Sequence, residues 1–386
     1  MSEPTKTTRR DFLTGKSAVE ALGDAVVGPA QPLPPPEATQ SGRTYLLQVS
    51  REAMACEFEV LLNAGQYPAG PDAAMAALDM VEHLEAQLTV FRDTSEIAAI
   101  NRRAAAGPIA IEPRLFDLLA RAVDLFDATG GAFDITAGPL SKVWGFYRRQ
   151  GRMPDAGEVA EALALVGSDK LALDLGARTI AFRQAGMELN FGAIGKGYAL
   201  DRAAEVLQAA GVEDFCLHGG NSSVLARGFR ISDLGFQISD SGATSTNPKS
   251  KILNPKSEIL RGWTIALRHP LKPDVRLAEF VLRNHALGTS GSGTQFFHCQ
   301  GKRYGHILDP RTGWPAHKVL SATVIAPTAE QADALSTALF VMGLDAAREF
   351  CASRPEIGAL FVVPGSRAGT IELRPLNLTD DAWRAL

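Results

Sequence analysis

The sequence predicts an α+β fold with mixed sheets and packed helices, on three observations. Apolar residues recur at helical spacing in four separate segments. Short runs of strand-like composition lie between and after them. The two kinds of segment do not follow a strict βαβ rhythm, so a doubly wound sheet is not expected.

The elements follow in chain order. Residues 1–43 are Pro-rich towards their end, from Pro32 to Pro36, and read as a tail or linker. Within them Thr8-Arg9-Arg10-Asp11-Phe12-Leu13 resembles a twin-arginine export signal, which points to the periplasmic side. Lys16, Glu20 and Asp24 interrupt the apolar stretch such a signal needs, which leaves a cytoplasmic location equally open. Residues 44–386 read as the folded domain. Cys56–Val60 alternates apolar and acidic residues, as a half-buried strand does. Pro71 opens a helix with Met75, Leu78, Val81, Leu84 and Leu88 on one face. A second helix opens near Pro113, carries Leu115, Leu119, Ala122 and Phe126, and stops at Gly130-Gly131.

Short strands are predicted at 170–175 and 179–183. A third helix runs from Gly195 to Gly211 with Leu200, Ala204 and Leu207 inward. Strands follow at 263–267, 278–282, 295–299, 322–326 and 359–363. Between the last two, Thr328 starts a helix, with Gln331 placed to complete a capping box. Ala332, Leu335, Leu339 and Met342 form its core face, and Gly343 ends it. Residues 229–261 stand apart. Gly228–Leu234 is nearly repeated as Gly235–Ser241, and Asn247–Leu253 as Asn254–Leu260. Two short tandem duplications are too few for a solenoid, so this stretch reads as a low-complexity surface insertion.

Bulk composition excludes several classes. The chain has 386 residues, 46% hydrophobic and 21% charged, with a net charge of -4. No basic field exists to hold nucleic acid. Cys56, Cys216, Cys299 and Cys351 form no CxxC pair, which argues against a disulfide framework or a structural zinc site. No uncharged apolar run reaches the length of a membrane span.

Three segments carry possible chemistry. Asp333, Ser336 and Thr337 share one face of a helix by their spacing. A carboxylate beside hydroxyls supplies hard oxygen ligands, which suits Mg²⁺. The same spacing also fits an acid near a helix N-terminus with two small polar surface residues. His306-Ile307-Leu308-Asp309-Pro310-Arg311-Thr312-Gly313 is a histidine followed by a turn. Such a histidine can move a proton at neutral pH or be a hydrogen-bonded structural residue. Arg311 suits either a phosphate or a nearby carboxylate. Gly192–Gly197 is glycine-rich at a helix start, where backbone amides can approach an anion. It has neither Walker nor Rossmann spacing, and a tight strand-to-helix turn explains it equally well.

Taken in order, these pieces resemble the ApbE family, the FAD:protein FMN transferases. The resemblance runs from about Met54 to about Gly343. Its segments are Phe91–Glu96, Phe133–Leu140 with Trp144-Gly145-Phe146, Gly192–Asp201, Gly219-Gly220-Asn221, Thr289-Ser290-Gly291, His306–Gly313 and Ala332–Ala338. The resemblance implies an α+β, ApbE-like fold and an enzyme that splits FAD with Mg²⁺. It would attach the FMN half to a Ser or Thr of an acceptor protein, a membrane redox subunit, releasing AMP. It implies FAD contacts at Met54, Phe91, Ala132, Phe133, Asp134, Asn190, Lys196 and Leu308. Mg²⁺ would be held at Ala193, through its carbonyl, and at Asp333, Ser336 and Thr337. His306 would act in proton transfer at the acceptor hydroxyl.

Three positions depart from the family pattern. Asn190 stands where Asp is frequent, and Phe91 where a tyrosine is frequent. Ser292 follows Thr-Ser-Gly where Asp is usual, removing a carboxylate near the site. This keeps two alternatives in view: an FAD pyrophosphatase that uses water as acceptor, and a non-catalytic FAD-binding protein. Ser241-Gly242-Ala243-Thr244, inside the insertion, resembles the acceptor motif of these transferases. That makes Thr244 a candidate for self-modification, against a background of ordinary loop composition.

Overall fold

The computed structural model describes residues 45–230, 262–293, 295–367 and 369–386. The expected tail, the twin-arginine-like segment, Thr244 and the insertion beyond Arg230 lie outside the described residues. The chain starts as a hairpin of β1 (Leu46–Ala53) and β2 (Cys56–Asn63), followed by α1 (Gly70–Leu88) and α2 (Glu96–Arg103). Then come β3 (Ile109–Ala110), α3 (Pro113–Ala128), α4 (Gly138–Val143) and α5 (Ala156–Ala164). Strands β4 (Leu171–Asp174) and β5 (Thr179–Phe182) precede α6 (Gly195–Ala209), β6 (Phe215–Gly219) and β7 (Ser223–Arg227). Beyond residue 261 come β8 (Trp263–His269), β9 (Lys272–Leu282), β10 (Ala286–Gly291), β11 (Phe296–Cys299), β12 (Lys302–Gly305) and β13 (Ser321–Ala326). The chain closes with α7 (Ala329–Met342), α8 (Leu344–Ala352), β14 (Gly358–Pro364), β15 (Ile371–Leu376) and β16 (Trp383–Ala385).

Eight strands form one antiparallel sheet in the order β1-β2-β6-β7-β10-β13-β14-β15. Alternation along each strand sends successive side chains to opposite faces. Phe215 and Leu217 of β6, Leu225 of β7 and Phe361 of β14 face the main core with α1, α6 and α7. Cys216, Val224, Leu360 and Val362 face the other way, into a second core. That core is closed by a three-stranded sheet, β16-β9-β8, through Trp263, Phe280 and Leu282. Both faces of the central strands are covered, which is why they read as near-continuous apolar runs. A third cluster, around Leu140, Trp144, Phe146 and Val159, carries the α4–α5 region.

The α+β reading and all four predicted helices are borne out, with ends close to those expected. Thr328 caps α7 by accepting the Gln331 amide at 3.2 Å, while a complete capping box closes at Asp155 and Glu158. Met75, expected on the inward face of α1, is exposed. Ala74, Ala77 and Ala73 hold that surface, because α1 packs closely on its neighbours and leaves no room for a long side chain there. The amphipathic reading of α7 also needs correction. It is buried on nearly every side, Asp333 and Ser336 included, because sheet and helices enclose it. Among the described residues no helix is long and apolar enough to cross a membrane.

Candidate active site

Helix α7 is held at its N-terminus by unusually close backbone packing. A Cβ on Gly197 would lie 2.1 Å from the carbonyl oxygen of Ala329, and one on Gly288 would lie 2.3 Å from that of Ala332. Only glycine permits either crossing. Asp201 of α6 then accepts the first free amides of α7, from Ala329 at 2.9 Å and Glu330 at 2.8 Å. Orphan N–H groups at a helix start need such a partner. Burial pushes the Asp201 carboxyl up to about 6. Glu330 is buried and answered by a two-pronged pair with Arg121 of α3, both contacts at 2.7 Å.

This clamp presents Asp333. Its Oδ1 accepts the Ser223 hydroxyl at 2.8 Å, and its Oδ2 accepts the Gly197 amide at 3.1 Å. Lys196 Nζ lies 3.6 Å from Oδ2. One turn along α7, Ser336 and Thr337 both meet the Ser290 hydroxyl at 2.9 Å. Ser336 Oγ also donates to the Asp333 carbonyl at 2.9 Å. The reading of these as surface residues is therefore set aside, since Asp333 is 4% exposed and Ser336 fully buried. The Asp333 carboxylate and the Ser336 and Thr337 hydroxyls are hard oxygen donors of the kind that fits Mg²⁺. No group of three His, Cys, Asp or Glu side chains placed to hold a metal ion exists among the described residues. Ala193, also expected near the metal, is half-buried in the turn that leads into α6.

His306 follows β12 and is largely enclosed. Its Nδ1 lies 3.2 Å from the Gln295 carbonyl. A carbonyl only accepts, so Nδ1 carries the proton and Nε2 keeps its lone pair. Burial holds the ring below the usual histidine value, and Lys196 adds to that lowering while the Gln295 bond opposes it. The ring meets Phe146 edge-on at 6.4 Å. The next residue, Tyr147, faces Phe91, with ring centroids 4.7 Å apart. Phe91 itself is 69% exposed, an aromatic surface open to a planar ligand.

The remaining expected FAD positions divide. Met54 sits at the apex of the β1–β2 hairpin, where Met54 and Ala55 both hold positive φ, 50° and 60°. This turn normally favours Gly, Asn or Asp, so the backbone is strained there. Ala132 and Phe133 are buried. The Asp134 carboxylate is fully engaged locally, accepting from Thr136 and Ser168 through both side chains and backbone. Asn190 receives the Gly192 amide at 2.8 Å and gives its own to Ile135 at 2.7 Å. These bonds tie Asn190 to Ile135 and to the Gly192 turn that leads into α6. Leu308 is half-buried and bridges to Pro315. Arg311 forks onto Asp309, 2.8 Å at each contact, so of its two readings the carboxylate partner holds. Asp134 and Arg311 line a cavity of ≈ 310 Å³ with Gly130 and Gly131.

Ser292 ends β10. Its carbonyl accepts from Arg303, and its Cβ lies beside Gly305, next to His306. Sequence reasoning gave no role to Ser223, Ser290, Asp201 or Tyr147. The available signals were Ser290 and Asp201 within the quoted segments and Tyr147 directly after Trp144-Gly145-Phe146.

The antiparallel α+β core thus carries an enclosed acid–hydroxyl cluster with a lysine beside it, and a largely enclosed histidine. The chain belongs to the ApbE family, whose model matches residues 54–361. It is 30% identical over 339 residues to an FAD:protein FMN transferase of Treponema pallidum, covering 84% of this chain and 87% of that one. An FAD:protein FMN transferase of Haemophilus influenzae is 29% identical over 316 residues, covering 79% and 83%. Among solved structures, the ApbE protein of Thermotoga maritima superposes with a TM-score of 0.70 at 27% identity, over 85% of this chain and 96% of that one. The Pseudomonas stutzeri flavinyl transferase ApbE, in its apo form, gives 0.69 at 26% identity, over 86% and 95%.

Proposed function

We propose that this protein splits FAD and transfers the FMN half to a Ser or Thr hydroxyl of an acceptor protein, a membrane redox subunit, releasing AMP. The observation that carries this reading is the buried Asp333 carboxylate ringed by Ser223, Lys196 and the Gly197 amide. The relatives named as FAD:protein FMN transferases support it. In the reaction, the acceptor oxygen bonds to the FMN phosphorus and the bond from that phosphorus to the bridging oxygen breaks. AMP leaves with the bridging oxygen. The acceptor's proton passes to Nε2 of His306, whose lone pair is kept available by the Gln295 carbonyl.

Asp333, Ser336, Thr337 and the Ala193 carbonyl would hold Mg²⁺, which supplies charge neutralisation at the pyrophosphate. Lys196 sits where its ammonium group can exchange Asp333 for a phosphate oxygen. Phe91, with Tyr147 behind it, offers a stacking face to the isoalloxazine. Ser292 contributes a hydroxyl where a carboxylate is usual, which bears on rate and metal affinity more than on FAD binding.

The test is incubation with FAD, Mg²⁺ and a peptide carrying a single Thr, read by mass spectrometry and nucleotide chromatography. Covalent FMN on the peptide with AMP released is the expected result. FMN and AMP with an unmodified peptide would make the protein a pyrophosphatase. Bound but unchanged FAD would make it a binding protein.

A further inference from the structure

We propose that Ser290 is a positioning residue for the metal: its hydroxyl takes the proton of Thr337 and so leaves the Thr337 oxygen free to serve as a ligand. This rests on the reading of Asp333, Ser336 and Thr337 as Mg²⁺ ligands and adds to it the group that orients them. Three short contacts link four oxygens. Ser336 Oγ donates to the Asp333 carbonyl at 2.9 Å, and Ser290 Oγ meets both Ser336 Oγ and Thr337 Oγ1 at 2.9 Å. Thr337 Oγ1 lies 3.5 Å from the same carbonyl, too far for more than a weak bond.

The protons of this cluster can be counted. Three hydroxyls bring three protons, and three contacts of hydrogen-bond length need one each. A carbonyl only accepts, so the short contact to Asp333 uses the Ser336 proton. Ser336 then has none left for Ser290, so Ser290 donates to Ser336. Ser290 in turn has none left for Thr337, so Thr337 donates to Ser290. Any other assignment leaves two oxygens 2.9 Å apart with no proton between them. The donors therefore run from Thr337 through Ser290 and Ser336 to the Asp333 carbonyl. Ser336 keeps one lone pair and Thr337 keeps two. Thr337 Oγ1 accepts from no group among the described residues, and Thr337 is half-buried where Ser336 is fully buried. The oxygen with the most free lone pairs is thus also the more accessible one.

The strand places Ser290 for this task. Side chains of β10 alternate, so Gly288 and Ser290 face α7 while Leu287 and Thr289 face the second core. Gly288 lies against the Ala332 carbonyl, and two residues on Ser290 meets Ser336, four residues further along the helix. Two strand residues advance about 6.8 Å and four helix residues about 6 Å, so strand and helix stay in step over this distance. The close approach that glycine permits at 288 is what carries the Ser290 hydroxyl to α7. Thr289 makes the matching pair on the other face. Its hydroxyl meets that of Thr323 at 3.0 Å and has no bond to α7 among the described residues. It is an internal control: the same strand and the same kind of bond, without a link to the Asp333 cluster.

The experiment titrates Mn²⁺, which takes oxygen ligands as Mg²⁺ does, into the full chain. Bound metal is read by water-proton relaxation, with Mg²⁺ added as competitor. Wild type, Ser290→Ala and Thr289→Val are compared. FAD binding is followed by flavin fluorescence in EDTA, and the metal-free thermal midpoint by calorimetry. Ser290→Ala is expected to bind both metals about 10–100-fold more weakly, the usual cost of losing a group that orients a metal ligand. Its FAD affinity in EDTA is expected to match wild type, and so is the metal affinity of Thr289→Val. Unchanged metal affinity in Ser290→Ala would overturn the proposal and leave the Mg²⁺ reading intact. An equal loss in Thr289→Val would trace the effect to the strand and not to the Ser290 hydroxyl, and the proposal would fail. A metal-free midpoint lowered by about ten degrees or more in Ser290→Ala would make it a packing residue, which also overturns the proposal. If wild type binds neither metal, the Mg²⁺ reading itself fails, and this proposal with it.

Discussion

The hydroxyl of Ser223, on a sheet strand, donates to Oδ1 of Asp333 at 2.8 Å across 110 residues of chain. With the Gly197 amide on Oδ2, it fixes the plane of a carboxylate that would otherwise turn about its side-chain bonds. Hydrogen bonds to a charged acceptor are worth about 1.5–3 kcal/mol, enough to orient a ligand for a metal or a phosphate. Each prediction below tests one part of that arrangement.

Replacing Asp333 by Ala is expected to abolish turnover while FAD still binds. Ser223→Ala is expected to keep activity but to require more Mg²⁺, since the carboxylate loses its orienting donor. Product release against Mg²⁺ concentration checks both. Full activity of the Asp333 variant in the presence of EDTA would remove this residue from the metal site.

His306→Ala is expected to keep FAD binding and slow transfer about 10²–10⁴-fold, the usual weight of general base catalysis. The neutral ring is the active base, and burial lowers its value below 6.5. In wild type, kcat/KM should therefore rise with pH through that lowered value and be flat above pH 6.5 as far as this group is concerned. A rising limb centred above 6.5 would assign the titration to another residue.

Gly197→Ala and Gly288→Ala each force a methyl against a backbone carbonyl, 2.1 Å and 2.3 Å away. Backbone cannot yield as a side-chain tip does. Each substitution is expected to cost about 1–3 kcal/mol and to lower the thermal midpoint by several degrees. Calorimetry reads the outcome, and unchanged midpoints would show that α7 is free to shift.

Asp201 predicts a pH dependence of stability. Its folded-state value, about 6, lies above the ordinary 3.8. Its contribution to stability is therefore fully present below 3.8 and is lost as pH rises through about 6. Asp201→Asn cannot titrate. Denaturant unfolding of the two proteins should show wild type losing stability relative to the variant across that interval. Parallel curves would mean that Asp201 does not titrate there.

The periodic elements were legible in the sequence because their signal is local. Leu78, Val81 and Leu84 fall on one face of α1 whatever the rest of the chain does. Pro113 and the Gly130-Gly131 pair bound α3 by their own backbone preferences. The face shared by Asp333, Ser336 and Thr337 follows from helix geometry alone, and motif order pointed to the family. Burial was decided only in three dimensions. Asp333 has the spacing of a surface acid, and it is buried because Gly197 and Gly288 let two neighbours approach α7 within backbone contact. Ser223 and Ser290 become partners of α7 through antiparallel strand register, which pairs residues far apart in sequence. Arg311 had two candidate partners by composition, and the turn from Asp309 to Gly313 chose the carboxylate. Local propensities thus settled which elements form, while the site depends on which elements touch, and those contacts are set by the packing of the whole core.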